Sequence, residues 1–324
     1  MSNTRIAVIG ASQLDPDHHI ALNELSEQGR VSAFALDADA DPAGFEILQS
    51  AMQNGALDAI MLTGSRDNFR DWAVFALDNA WPVYATHAVP TSIEDMIEIR
   101  RAEQARPEAL IQFGLTARHH ESVQTALAKR DTGEYGKLLT LRGVCGCPAS
   151  DLDDSVVFDL GPQMVDLMHL FAGPFQDVSG YSDLDRSPEP GSETNVFATL
   201  RTHNGTLASL HMSASQWRPT FRLELGFERG YMWLEGLNSQ RRNLGQEVLV
   251  SARSDGASAR HETVDRFEHS HGAKVALEAF LQQVASPSAS LSSNSEEAFD
   301  TLNTIQRILA ADPIIAPLEE RHVS

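Results

Sequence analysis

Cysteine is nearly absent: the 324 residues contain two, Cys145 and Cys147. That excludes a disulfide framework. Basic residues are also scarce, with 25 Lys and Arg against 45 Asp and Glu, a formal net charge of −20. Such a surface repels nucleic acid and anionic membranes. No apolar run approaches the ~20 residues that span a bilayer. The N-terminus lacks a basic stretch followed by an apolar stretch and a cleavage site, so no signal peptide is expected. These absences together point to a cytoplasmic protein that partners neither nucleic acid nor membrane.

What is present is enough apolar material for proper cores, 42% of the residues, on a length that suits two domains. The first part alternates short apolar runs with helical patterns, the signature of a parallel sheet. Strand candidates are Ile6–Ile9, Val31–Leu36, Ala59–Leu62, Val83–Ala85 and Leu110–Phe113, with helices between them such as Asp71–Asn79 and Ser92–Gln104. After Phe113 the rhythm changes. Helices are expected over Ser122–Arg130 and Gln163–Phe171, and strands over Leu138–Val144, Val196–Thr202, Leu207–Ser213, Phe221–Phe227 and Tyr231–Leu234. Asn204-Gly205 signals a hairpin between two of these strands. Two further helices, about Ala273–Val284 and Glu296–Ala310, flank a Ser-rich loop. The expected fold class is α/β: residues 1–116 as a Rossmann-type parallel-sheet domain, and residues 117–324 as an α+β domain with a large, mostly antiparallel sheet.

The opening Arg5-Ile6-Ala7-Val8-Ile9-Gly10 reads as a buried strand running into a glycine turn. A dinucleotide turn uses three glycines, for the tight turn, for close approach of the pyrophosphate and for helix packing. Gly10 supplies the first, Ser12 stands at the second and Asp15 at the third. Asp15 brings a carboxylate to the helix N-terminus where a phosphate would bind. Asp15-Pro16-Asp17 also makes a good helix start, with Asp15 as cap, Pro16 first and Asp17 complementing the dipole. Asp37 follows the second strand, where an acidic residue would hold an adenosine ribose; it equally suits a loop within the acidic run Asp37, Asp39, Asp41.

Three stretches carry a family resemblance: Thr132 to Leu139, Phe158 to Leu167, and Gly205 to Trp217. Across nearly its whole length the chain resembles the Gfo/Idh/MocA family of NAD(P)-dependent sugar oxidoreductases. The block Ser213-Ala214-Ser215-Gln216-Trp217-Arg218 looks most like members from surface-sugar biosynthesis. The resemblance implies a Rossmann domain and a C-terminal domain with a cleft between them, NAD or NADP as cofactor, and an open sheet that often packs against another subunit.

Against that family the reacting positions are changed. In the gap-free register the family's Glu-Lys-Pro motif falls on Thr86, His87 and Ala88, which also aligns Ser92 as a helix start; a register anchored on Pro90 would put Val89 at the lysine, and in both the lysine is absent. The family's aspartate and histidine four residues apart fall on Asp159 and Gln163. Glutamine hydrogen-bonds a hydroxyl but exchanges no proton near neutral pH. His87 either takes over proton transfer or remains in a remodelled cleft. By resemblance the catalytic candidates are His87, Asp159 and Gln163, and the cofactor candidates are Gly10, Ser12, Asp37, Thr63 and Thr86. The substrate candidates are Arg118, His120, Asp166 and Trp217. Arg118 alternatively forms a structural ion pair, and Trp217 alternatively fills the core. Phe69 replaces a family histidine near the cofactor, and the loop between Val144 and Val157 is short. No metal is expected, since the cysteines and histidines show no ligand spacing. The expectation is a diverged sugar oxidoreductase with weakened or lost hydride transfer. It would act as a ligand-binding or partner subunit, in a homo-oligomer or with a catalytic paralogue, or perform altered chemistry. The alternative is an active NAD(P)-dependent sugar dehydrogenase using His87 and Asp159.

Overall fold

The computed structural model describes residues 3–36, 40–64, 68–106, 108–152, 155–183, 194–237, 246–254, 261–268, 271–286 and 293–311. It divides into two compact units, residues 1–116 with 271–302 and residues 117–270 with 303–324.

The first unit is built on five parallel strands: β1 (Thr4–Ile9), β2 (Val31–Leu36), β3 (Ala59–Leu62), β4 (Val83–Ala85) and β5 (Ile111–Gln112), in the order β2-β1-β3-β4-β5. Strands β3 and β4 are buried throughout, as expected where helices cover both faces of a parallel sheet. Between the strands lie α1 (Pro16–Glu27), α2 (Pro42–Gln53), α3 (Phe69–Asp78) and α4 (Ile93–Ala105). Each of α1, α2 and α4 starts on a side-chain cap, Asp15, Asp41 and Ser92 respectively. The order of strands leaves a crevice at their carboxyl ends.

In the second unit, α5 (Glu121–Asp131), α6 (Val156–Asp159) and α7 (Gly161–Ala172) accompany an eight-stranded sheet. Its strands are β6 (Leu138–Pro148), β7 (Phe175–Ser182), β8 (Asn195–Thr202), β9 (Leu207–Ser213), β10 (Ser215–Phe227), β11 (Gly230–Glu235), β12 (Glu247–Arg253) and β13 (His261–Phe267). Their order is β13-β12-β11-β10-β6-β9-β8-β7, antiparallel except for β6 against β9. Strands alternate buried and exposed residues, so one face builds a core with α7, including Leu141, Cys145, Met164, Met168, Leu210 and Leu223. Both cysteines lie on that buried side. The hairpin expected at Asn204-Gly205 joins β8 to β9, with Gly205 at φ +84°.

The chain then returns to the first unit as α8 (Gly272–Ala285). Its Ala276, Leu277, Phe280 and Leu281 share a core with Ile6, Leu25, Met61 and Tyr84. The ion pairs Lys274–Glu24 and Arg30–Glu278 fasten its rim. The helix α9 (Ser295–Ala310) follows; its Ile305 and Ile308 belong to the core of the second unit.

Three strands escape the sequence pattern, namely β7, β12 and β13, and β6 and β10 are much longer than expected. β6 runs on to Pro148, and β10 begins at Ser215, its early part out of register with β6 between Ser215 and Thr220. The irregular pairing there breaks the period of two on which strand reading depends.

Candidate functional site

The candidate residues fall into two groups, one in each unit. In the first unit, β1 ends in Gly10 at φ +80°, a left-handed conformation open to glycine at little cost. A Cβ there would sit 2.4 Å from the Thr63 carbonyl oxygen, so the first turn and the end of β3 are in close contact. A short 3-10 turn, Ala11–Gln13, follows, and Ser12 in it is exposed. Asp15 caps α1: its Oδ1 accepts from the His18 amide at 3.1 Å and its Oδ2 meets His18 Nδ1 at 2.6 Å. His18 Nε2 lies 2.9 Å from the Tyr84 hydroxyl. Burial, then the Asp15 charge, push the Tyr84 phenol up, so it keeps its proton.

His87 follows β4, and its Nε2 lies 2.7 Å from the Gly64 carbonyl oxygen. A carbonyl only accepts, so Nε2 carries a proton and the ring orientation is fixed. Gly114 donates its amide to the His87 carbonyl at 2.9 Å. A Cβ on Gly114 would stand 2.1 Å from the Thr86 carbonyl oxygen, so only glycine permits this approach. Thr86 turns its hydroxyl to the Leu62 carbonyl at 3.3 Å. Phe69 is buried with its ring edge-on to His87, centroids 6.3 Å apart. The structure thus brings Gly10, Thr63, Thr86 and His87 together at the carboxyl ends of β1, β3 and β4. Asp37 lies outside the described residues.

In the second unit, α6 and α7 carry Asp159, Gln163 and Asp166 at helical spacing. Gln163 Oε1 accepts from the Ala117 amide at 2.9 Å, which fixes the side-chain amide with Nε2 as its donor end. Arg118 Nε donates to Asp166 Oδ2 at 3.0 Å, and Nη2 donates to Oδ1. Both residues of that pair are buried, so the guanidinium is used in a bidentate ion pair. Asp159 acts electrostatically on Cys145, whose thiol is pushed up first by burial and then by Cys147 and Asp159.

His120 Nδ1 lies 2.9 Å from Glu247 Oε2, and the Ser122 amide donates to Glu247 Oε1 at 3.1 Å. Burial pushes the Glu247 carboxyl up, but the hydrogen bonds and charge of His120 and Ser122 prevail and hold it below the usual carboxylate range. Sequence reasoning missed Glu247, because its partner is 127 positions away and β12, which it opens, was not among the expected strands. It also missed His18 as the partner of Asp15 and Tyr84 as the partner of His18. Trp217, on the irregular first part of β10, is 97% exposed, which overturns the option of a core-filling role.

Residues 123–233 match the model of the GFO/IDH/MocA C-terminal domain. Inositol 2-dehydrogenase from Corynebacterium glutamicum is 23% identical over 268 residues, covering 78% of this chain and 79% of that protein. Among solved structures, UDP-N-acetylglucosamine 3-dehydrogenase from Acidithiobacillus ferrooxidans superposes with a TM-score of 0.76 at 17% identity, covering 97% and 99% of the two chains. Levoglucosan dehydrogenase, solved with NADH and L-sorbose, superposes with a TM-score of 0.74 at 12% identity, covering 96% and 97%. Residues 123–233 thus form a GFO/IDH/MocA C-terminal domain, and the chain, with its parallel first sheet and largely antiparallel second sheet, has the fold of these solved oxidoreductases.

Proposed function

We propose that this chain is a diverged sugar oxidoreductase homologue in which hydride transfer is weakened or lost. It binds a sugar or sugar derivative, as a ligand-binding or partner subunit or with altered chemistry. The carrying observation is Gln163. Its carbonyl is committed to the Ala117 amide, and its amide exchanges no proton near neutral pH. The lysine position is filled by His87, whose Nε2 is tied to the Gly64 carbonyl. Arg118, His120, Asp166 and Trp217 are the residues proposed for substrate, the first three through the shape their buried pairs impose and Trp217 through its bare ring.

Resemblance implies NAD or NADP, the cofactors seen with structural neighbours, and Gly10, Ser12, Asp37, Thr63 and Thr86 would line the nucleotide. The crevice has the Rossmann topology, but its first turn does not fit a diphosphate, because the Asp15 carboxylate already takes the α1 amide. The test is turnover of NAD, NADP and their reduced forms with a panel of sugars, inositols and nucleotide-sugars. The expected kcat is below ~0.01 s⁻¹, against the usual 1–10³ s⁻¹. Turnover near or above ~1 s⁻¹ would refute the reading.

A second reading is an active NAD(P)-dependent sugar dehydrogenase in which His87 and Asp159 relay the proton. The observation favouring it is the fixed orientation of the His87 ring at the carboxyl end of β4. It requires that His87→Ala abolish turnover, by ~10²-fold or more.

The same proposal includes a homo-oligomer. Cross-strand rows on the open face of the eight-stranded sheet carry Tyr181, Phe197, Leu207, Trp233, Val250 and Val264. They also carry four arginines, Arg142, Arg201, Arg222 and Arg266, and four carboxylates, Asp177, Glu224, Glu235 and Glu262. This face is therefore balanced in charge on a chain of net −20, and two copies meeting there would not repel. Light scattering should give a dimer or larger; a strict monomer would refute it.

A further inference from the structure

At the first turn a carboxylate, an imidazole and a phenol form one linked group. Asp15 Oδ1 takes the His18 amide at 3.1 Å and Oδ2 takes His18 Nδ1 at 2.6 Å. The far ring nitrogen of His18 lies 2.9 Å from the Tyr84 hydroxyl, which comes from β4 and is fully buried. A carboxylate only accepts, so Nδ1 carries the proton. The carboxylate cannot swing away without leaving the N–H of a buried imidazole unpaired, which is unfavourable. The free amides at a helix N-terminus attract anions, and in dinucleotide folds the diphosphate meets them. Here the His18 amide in the first turn of α1 is already taken by a charge of the same sign as the diphosphate. The Gln13 side chain lies beside Gly64, its Oε1 standing 2.8 Å from where a Cβ there would be.

We infer that Asp15, braced by His18 and Tyr84, is the specificity determinant of the first turn. It sets a low affinity for diphosphate-bearing nucleotides while leaving the rest of the crevice able to take an uncharged ligand. The inference rests on the reading that hydride transfer is weakened, and it gives that weakening a location. It also makes the effect reversible, because one charge carries it.

The experiment titrates the full chain with NADH, following nicotinamide fluorescence, in the wild type and in Asp15→Asn and Asp15→Ser. Both replacements remain good helix caps, and thermal unfolding checks that they fold. Reduced nicotinamide riboside, which has no diphosphate, is the companion probe. The expected result is a fall of at least tenfold in the NADH Kd in both variants, with binding of the riboside unchanged. An NADH affinity identical in wild type and variants, whether tight or undetectable at millimolar cofactor, overturns the inference. So does an equal gain for both probes, since the effect would then not concern the diphosphate. The two ideas fail separately: fast turnover by the wild type sinks the reading of weakened hydride transfer, whereas unchanged binding in the Asp15 variants sinks only this one.

Discussion

At the scale of single residues, what decides this protein's chemistry is how buried polar atoms find partners. Gln163 satisfies the amide of Ala117, which is itself buried. Gln163→Leu should leave that N–H unpaired and cost about 1–3 kcal/mol, read from urea denaturation, while Gln163→Glu should keep most of the stability because its oxygen still accepts. Tyr84→Phe should cost a similar amount by removing the partner of His18 Nε2. The buried Arg118–Asp166 pair is the larger case. Asp166→Ala strands a buried guanidinium, and a loss of about 3–5 kcal/mol is expected. Replacing both partners, with Arg118→Met and Asp166→Leu, should recover much of that loss, since the penalty comes from the unpaired charge. If the double variant were no better than the single, the ion pair would not be the cause.

Among the elements, α5 depends on a contact from far along the chain. Its start is held by Glu247 at the beginning of β12, through His120 and Ser122. The Glu247 carboxyl titrates lower in the folded chain than in the unfolded one. The contact therefore contributes stability above the ordinary carboxylate pKa of ~4.3, which is lost as pH falls through the folded value. Glu247→Gln should flatten the acid limb of stability against pH, in denaturation measured from pH ~6 to ~3. An unchanged acid limb would show that the carboxyl does not titrate with unfolding.

For the whole molecule, two histidines of the second unit set a further pH dependence. Burial, then the charges of Arg118 and Arg307, push His169 down to about 4 from 6.5. Burial, then Arg118 and His120, push His119 down to about 4 as well. Both rings are neutral in the folded chain and bind protons more readily once unfolded. Stability is then full above pH ~6.5 and declines as pH falls toward ~4, with a contribution on the order of 3 kcal/mol for each ring. His169→Gln should remove part of that slope, and His119→Phe another part, in urea midpoints taken across pH 7 to 4. The open sheet face answers at the same scale. Phe197→Glu should shift light scattering toward monomer while leaving the isolated fold intact, because Phe197 is 55% exposed and buries little within its own chain.

The parallel sheet, the cap at Asp15, the hairpin at Asn204-Gly205 and most of the expected helix bounds were legible in the sequence. They depend on local forces: apolar period, cap chemistry and turn conformation act within a few residues. The sequence did not disclose that Gln163 serves Ala117, that Arg118 belongs to Asp166, that Glu247 holds His120, or that α8 returns to pack beneath β1 and Tyr84. Those partners lie between 46 and 127 positions apart where they bond through side chains, and α8 lies farther still from β1. Only packing of distant elements brings such groups within bonding distance. Composition and local pattern therefore determined which residues were available to this protein, and the tertiary structure decided which of them were already taken.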